Sequence, residues 1–357
     1  MPVVACPPSS GAFAPPDGNR GRAAAFLRFR SSGMFPCVVF CCAQSAFRSR
    51  LSYCRKYSAY SDWVPRVRIT HSTEYAYHRP VRPLTHRLML RPRDSHDLRL
   101  HSATLTVTPP PARTRWAHDV FGNSLAYLEW GRLDTKLLRI VSSLELDHYP
   151  IASELPLEPA AETFPFGYST DEAPDLARTI ERQYPDTDRA VDAWARSFLN
   201  PSGPTRTLDM LAAMTRTIRA EFQYAARDAQ GTNSPTRTLA TRSGACRDYA
   251  LLMMEAVRAL GLAARFVSGY LYNDRLADGR ANVGGGATHA WVAVYLPGAG
   301  WVEYDPTNGL IAGRNLIRIC TARTPEQATP VSGGYLGSKR DLLGLRVSVD
   351  VAVVPPA

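Results

Sequence analysis

The stretch Thr241-Arg-Ser-Gly-Ala-Cys246-Arg-Asp248-Tyr-Ala constrains this chain more than any other, because a small-residue turn delivers a cysteine to the start of an apolar helix. Leu251, Leu252, Met254, Ala256, Val257 and Leu260 recur at helical spacing up to Gly261, and Ser243 reads as the N-cap. A helix start offers unpaired N–H groups and the positive end of the helix dipole, and both favour a thiolate. Downstream, Ala290-Trp-Val-Ala-Val-Tyr-Leu-Pro reads as a strand with His289 at its start. The turn Gly298-Ala-Gly300 reverses the chain into Trp301-Val-Glu-Tyr304-Asp305. In such a hairpin His289 and Asp305 share the end away from the turn. A thiol, an imidazole and a carboxylate in that order can act as nucleophile, base and orienter of the base.

Scarcity sharpens the reading. Beyond residue 150 the chain has one histidine, His289, and two cysteines, Cys246 and Cys320. Cys320 lies in a strand-like run and reads as buried and inert. Asp248 reads as a carboxylate complementing the helix dipole. Trp291 and Trp301 read as core anchors rather than walls of a substrate slot, and Tyr270 and Tyr304 as packing. Glu303 shares a strand face with Asp305 and is an alternative carboxylate. The backbone N–H of Cys246 is one oxyanion donor, with Gln223 or Tyr224 as candidates for a second.

These segments resemble the transglutaminase-like superfamily. The resemblance rests on Gly244-Ala-Cys246-Arg-Asp248, Arg258-Ala-Leu-Gly-Leu-Ala-Ala-Arg265-Phe-Val-Ser-Gly-Tyr270, His289-Ala-Trp291 and Gly300-Trp-Val-Glu-Tyr-Asp305-Pro-Thr. Arg66-Val-Arg-Ile-Thr-His71-Ser-Thr-Glu-Tyr75-Ala-Tyr77, Arg91-Pro-Arg and Asp119-Val-Phe-Gly-Asn123 are similar to the N-terminal domain of the bacterial members. Arg314-Asn-Leu-Ile-Arg-Ile and Pro330-Val-Ser-Gly-Gly334 are similar to their tail. The resemblance implies Cys246 as nucleophile, His289 as base and Asp305 as orienter on a papain-like α+β core. It implies acyl transfer on peptide or protein amides through a thioester, resolved by water or by an amine. A non-catalytic binding or assembly module of the same fold is the alternative, and three intact residues argue against it.

Composition bounds the rest. With 357 residues, 45% of them hydrophobic and 21% charged, the chain suits two soluble domains. Residues 1–62 differ from the remainder: they hold five of the seven cysteines and +6 of the +10 net charge. This segment reads as translated sequence upstream of the true start. A signal peptide using Phe35 to Phe47 and a disordered arm are the alternatives. The basic charge is thus no sign of nucleic-acid binding by the folded part. With two thiols left outside the tail, a disulfide framework is not expected, and the cytoplasm is the default compartment. Residues 63–150 read as a β-rich antiparallel sandwich domain, 151–174 as a Pro-rich connector and 175–357 as the catalytic domain. Helices are expected at 189–199, 205–225 and 246–260, and 277–287 as a Gly-rich loop. Seven of eight histidines lie between His71 and His148 without metal-ligand spacing, so they read as scattered and solvated. No calcium-loop motif occurs, and no metal, cofactor or membrane partner is expected. A protein partner on the N-terminal domain is expected.

Overall fold

The computed structural model describes residues 64–149, 155–227, 231–272, 288–311 and 315–354. The 1–62 segment and the 277–287 loop lie outside the described residues.

The N-terminal part is built from β1 (Arg66–Pro83), β2 (His86–Arg91), β3 (Leu98–Thr108), β4 (Arg113–His118), β5 (Ser124–Glu129) and β6 (Thr135–His148). In β1 the buried Val67, Ile69, His71 and Thr73 alternate with more exposed neighbours, the period of a half-buried strand. One antiparallel sheet has β1 beside β6 and β6 beside β3, and a second has β2 beside β5 and β5 beside β4. Leu88, Leu90, Ala126, Leu128 and Trp130 of the second sheet pack with Tyr77, Val81, Leu138 and Ile140 of the first. This is the expected sandwich.

Among the described residues five helices follow: α1 (Glu172–Ile180), α2 (Ala190–Arg196), α3 (Thr207–Glu221), α4 (Pro235–Thr241) and α5 (Cys246–Ala259). They precede the strands β7 (Ala264–Leu271), β8 (His289–Leu296), β9 (Gly300–Asp305) and β10 (Leu316–Ala322). These strands form an antiparallel sheet in the order β9, β8, β7, β10. Helix α5 is buried on all sides from Asp248 to Val257, which makes it the spine of the main apolar cluster. Two charged residues survive there because they are fully engaged. Arg258 donates to Glu255 at 2.9 Å and to the carbonyls of Thr179, Ala264 and Arg323, while Glu255 accepts from the backbone N–H groups of Gln183 and Tyr184.

The sheets do not divide the chain at the boundary the sequence suggests. The strand β11 (Leu342–Val354) lies beyond the core in sequence, yet it pairs antiparallel with β1, Val353 opposite Val67 and Val347 opposite Thr73. The connector is also tied down from residue 155 onward. Leu155 and Leu157 pack against the main cluster, and the Tyr168 hydroxyl accepts from Ala263 N–H at 2.7 Å.

Polar fasteners join the first sheet to β7 and β10. The expectation of solvated histidines fails here: His71, His86 and His148 are buried. His71 Nδ1 bonds the Tyr270 hydroxyl at 2.8 Å and its Nε2 bonds Thr73 Oγ1 at 3.0 Å. His148 Nδ1 bonds the hydroxyl of Tyr272 at 3.2 Å. Burial lowers both imidazoles to a pKa of about 4, so they are neutral acceptors and donors rather than charges. Asp119 closes its own turn by accepting from Phe121 N–H and Asn123 N–H. Asn123 then grips the backbone of β10, donating to Thr321 O at 2.7 Å and accepting from Thr321 N–H at 2.9 Å.

Candidate active site

Cys246 is the first residue of α5, as the sequence suggests, but the cap differs. Ala245 is the N-cap residue and Ser243 is not. Ser243 and Gly244 instead pair in parallel with Gln223 and Tyr224. The capping acceptor is Asp248, whose Oδ2 accepts from Ala245 N–H at 2.9 Å. Its Oδ1 accepts from Arg227 at 3.0 Å and from Asn233 N–H at 2.7 Å. Asp248 is therefore more than a dipole complement: it is a wholly buried anchor for the turn before Cys246 and for Asn233. Gly244 is required beside it, since a Cβ at that position would lie 2.8 Å from Asp248 Cβ.

The hairpin behaves as expected. Leu296 pairs with Gly300 at the turn and Val292 with Tyr304 near the open end. His289 and Asp305 meet there, Nε2 to Oδ2 at 2.8 Å, with both side chains fully buried. Asp305 is held by Asn308, which donates its amide at 2.8 Å, and by Thr307 N–H at 2.9 Å. An Asp followed by Pro-Thr-Asn is an Asx-turn sequence, so this signal for Asn308 was present in the chain. Burial alone would raise the Asp305 carboxyl, but the charge and hydrogen bond of His289 outweigh it and hold the carboxyl below its ordinary range. Burial alone would lower the His289 pKa; the adjoining carboxylate outweighs that and raises it, with a smaller contribution from Cys246.

Since an ionised carboxylate only accepts, the Asp305 contact assigns a proton to Nε2 and leaves Nδ1 to face the thiol. Nδ1 is buried, and the Cys246 side chain is near enough to raise the imidazole pKa. Trp291 packs against the imidazole at 5.9 Å between ring centroids and is wholly buried.

The other candidates separate cleanly. Glu303 is not the partner of His289; Arg318 donates to it at 2.5 Å and also bonds Asp97. Trp301 lies under the Arg265 guanidinium at 3.9 Å, and Tyr270 is taken by His71. Cys320 is buried, its thiol pushed up to about 12 by burial, and its Sγ donates to Ala328 O at 3.6 Å. Gln223 is exposed, whereas Tyr224 is half-buried and burial pushes its hydroxyl up to about 12.

Cys246 and His289 open on a cleft of about 560 Å³. Its far wall is not part of the core: Tyr75, Tyr77 and His86 come from the sandwich, and Gly333, Gly334 and Tyr335 from the segment before β11. That contribution of the sandwich was invisible to the sequence reading. Among the described residues no group of three or more His, Cys, Asp or Glu is placed to hold a metal ion, and no helix is long and apolar enough to cross a membrane.

Comparison with known proteins agrees with this architecture. The description of the bacterial transglutaminase-like N-terminal region matches residues 67–147. That of the transglutaminase-like superfamily core matches residues 192–306. An uncharacterised protein of Mycobacterium tuberculosis is 30% identical over 296 residues, spanning 80% of this chain and 92% of its own. A protein-glutamine gamma-glutamyltransferase of Pseudomonas aeruginosa is 39% identical over 74 residues, 19% of this chain and 10% of that one. The crystal structure of a candidate cysteine protease from Cytophaga hutchinsonii covers 83% of this chain and 93% of its own, with a TM-score of 0.60 at 18% identity, and so shares the fold. The chain belongs to the transglutaminase-like superfamily and carries the bacterial N-terminal region ahead of its core.

Proposed function

We propose that this protein transfers acyl groups from peptide or protein amides through a Cys246 thioester. The observation that carries the reading is the buried His289–Asp305 bond, with Cys246 near enough to act on the imidazole and both residues lining one cleft. Asp305 stabilises the imidazolium, and the imidazolium stabilises the thiolate as an ion pair.

In the first half-reaction the Cys246 sulfur bonds the amide carbon, and the oxyanion is met by the backbone N–H of Cys246. The proton on Nδ1 passes to the departing nitrogen as the carbon–nitrogen bond breaks, releasing an amine and leaving a thioester. In the second, water or a primary amine gives a proton to His289 and attacks the thioester. The products are a carboxylic acid or a new amide, and the thiolate is regenerated. The segment Gln223–Tyr224 runs beside Ser243–Gly244 and supplies the candidates for a second oxyanion donor.

The test is labelling and turnover. Iodoacetamide near neutral pH is expected to alkylate Cys246 well before the buried Cys320. His289→Ala is expected to slow that labelling and flatten its pH profile. A quenched peptide library, assayed with and without a fluorescent primary amine, separates hydrolysis from transamidation, and Cys246→Ala abolishes both. Unchanged labelling in His289→Ala would remove the basis for catalysis and favour a binding module.

A further inference from the structure

β11 forms one margin of the first sheet, and its strand partner among the described residues is β1. A free strand edge is a template for pairing with another chain, and soluble proteins blunt it with proline, charge or a short strand. β11 has 13 residues, none of them proline. Leu343, Leu345 and Val347 are 61%, 43% and 44% exposed. The opposite margin, β3, presents no large exposed apolar side chain and carries Arg99, His101, Ser102, Thr104, Thr106 and Thr108.

The first charges on β11 are arranged in a specific way. Arg346 and Asp350 lie on the outer face by strand alternation, and both are exposed. Neither side chain has an ion pair or hydrogen bond among the described residues. Arg346 is in register with Glu74, which is approached instead by Arg139 at 3.9 Å, and Asp350 is in register with Thr70.

We propose that β11 is a homodimer interface, pairing antiparallel with β11 of a second copy about a two-fold axis through Ser348. In that register Arg346 of each copy lies opposite Asp350 of the other, giving two reciprocal ion pairs. Val347 lies opposite Val349, Leu345 opposite Val351 and Leu343 opposite Val353, so the apolar face of one sheet continues into the other. An axis through Val347 or Val349 would set both charges opposite Gly344, Ser348 or Ala352 instead. The charge pattern is self-complementary at one register only, which is what an isologous contact requires. Pairing would use the free main-chain groups of the edge and cover its exposed leucines and valines.

Light scattering on the full chain after size exclusion, over about 1 to 100 µM, tests this directly. The expected mass rises toward twice 39.3 kDa with concentration. Arg346→Glu or Asp350→Arg alone converts both ion pairs to repulsions and is expected to weaken association on the order of tenfold. The double variant Arg346→Glu/Asp350→Arg restores the pairs with reversed polarity and is expected to dimerise like the original chain. Circular dichroism is expected to be unchanged in all three, because neither side chain has a bonded partner among the described residues. A chain that stays at 39.3 kDa throughout, or a dimer equally strong in the single variants, would overturn the proposal. A monomer that dimerises only once proteolysis removes residues 1–61 would also overturn it, since that segment would then be what occupies the edge.

Discussion

Acid should loosen the contact between the first sheet and the core, through His71 and His148. Each imidazole is buried against a tyrosine hydroxyl, and burial lowers its pKa from 6.5 to about 4. In the unfolded chain both return to 6.5. Between those values the unfolded chain binds a proton that the folded chain refuses, so stability is full above pH 6.5 and declines as pH falls toward 4. At pH 5 the linkage amounts to ~2 kcal/mol for each histidine, or ~4 kcal/mol for the two together. That is a large share of the 5–15 kcal/mol typical of folded domains. Urea unfolding followed by tryptophan fluorescence at pH 7.5 and pH 5.0 measures it. His71→Gln/His148→Gln lacks both titrations and should lose ~4 kcal/mol less over that interval than the original chain. His86, also lowered by burial, remains in both proteins and cancels. Equal losses in the two proteins would show that these histidines are not buried neutral fasteners.

Three further outcomes follow from single contacts. Asp305→Asn removes the charge that raises the His289 pKa and should reduce turnover by roughly 10³- to 10⁴-fold in a steady-state assay while the chain stays folded. Gly269→Ala places a Cβ against the backbone oxygen of Ile317 and the Trp291 ring, so chemical denaturation should show a loss of about 1–3 kcal/mol. Because Gly269 is paired with His289, the same variant should also slow Cys246 labelling. Asn123→Ala strands both backbone groups of Thr321 and should destabilise by ~2–4 kcal/mol, seen as a lower melting temperature without a change in labelling rate.

The site was legible because its geometry is local. A helix start and a hairpin with a short turn fix Cys246, His289 and Asp305 from neighbouring residues alone. Ser243 was misread as the cap since a serine before an apolar run is the common signal, whereas here a carboxylate within the helix reaches back to Ala245. Asp248 has that reach only because Gly244 leaves room for it, a fact of packing that spacing does not carry. The histidines were misread for a different cause. Their partners Tyr270 and Tyr272 are remote in sequence, and nothing near His71 or His148 announces them. The same holds for Asn123, whose quoted motif gives a turn but not the strand it grips.

The return of β11 to β1 has a consequence for how the chain is made. β1 precedes every described helix in sequence and β11 follows the whole core, so the first sheet remains incomplete until the core has been synthesised. Pairings of such long sequence separation form late and slowly. During translation the sandwich would be exposed with β1 lacking one neighbour, which is when chaperones should find it. Once β11 docks, the two ends of the described fold lie in adjacent strands, and neither half can open without tearing that seam. Heating should therefore give one cooperative transition rather than two, and a chain shortened before Leu342 should fail to accumulate even though every residue of the cleft up to Tyr335 is still present.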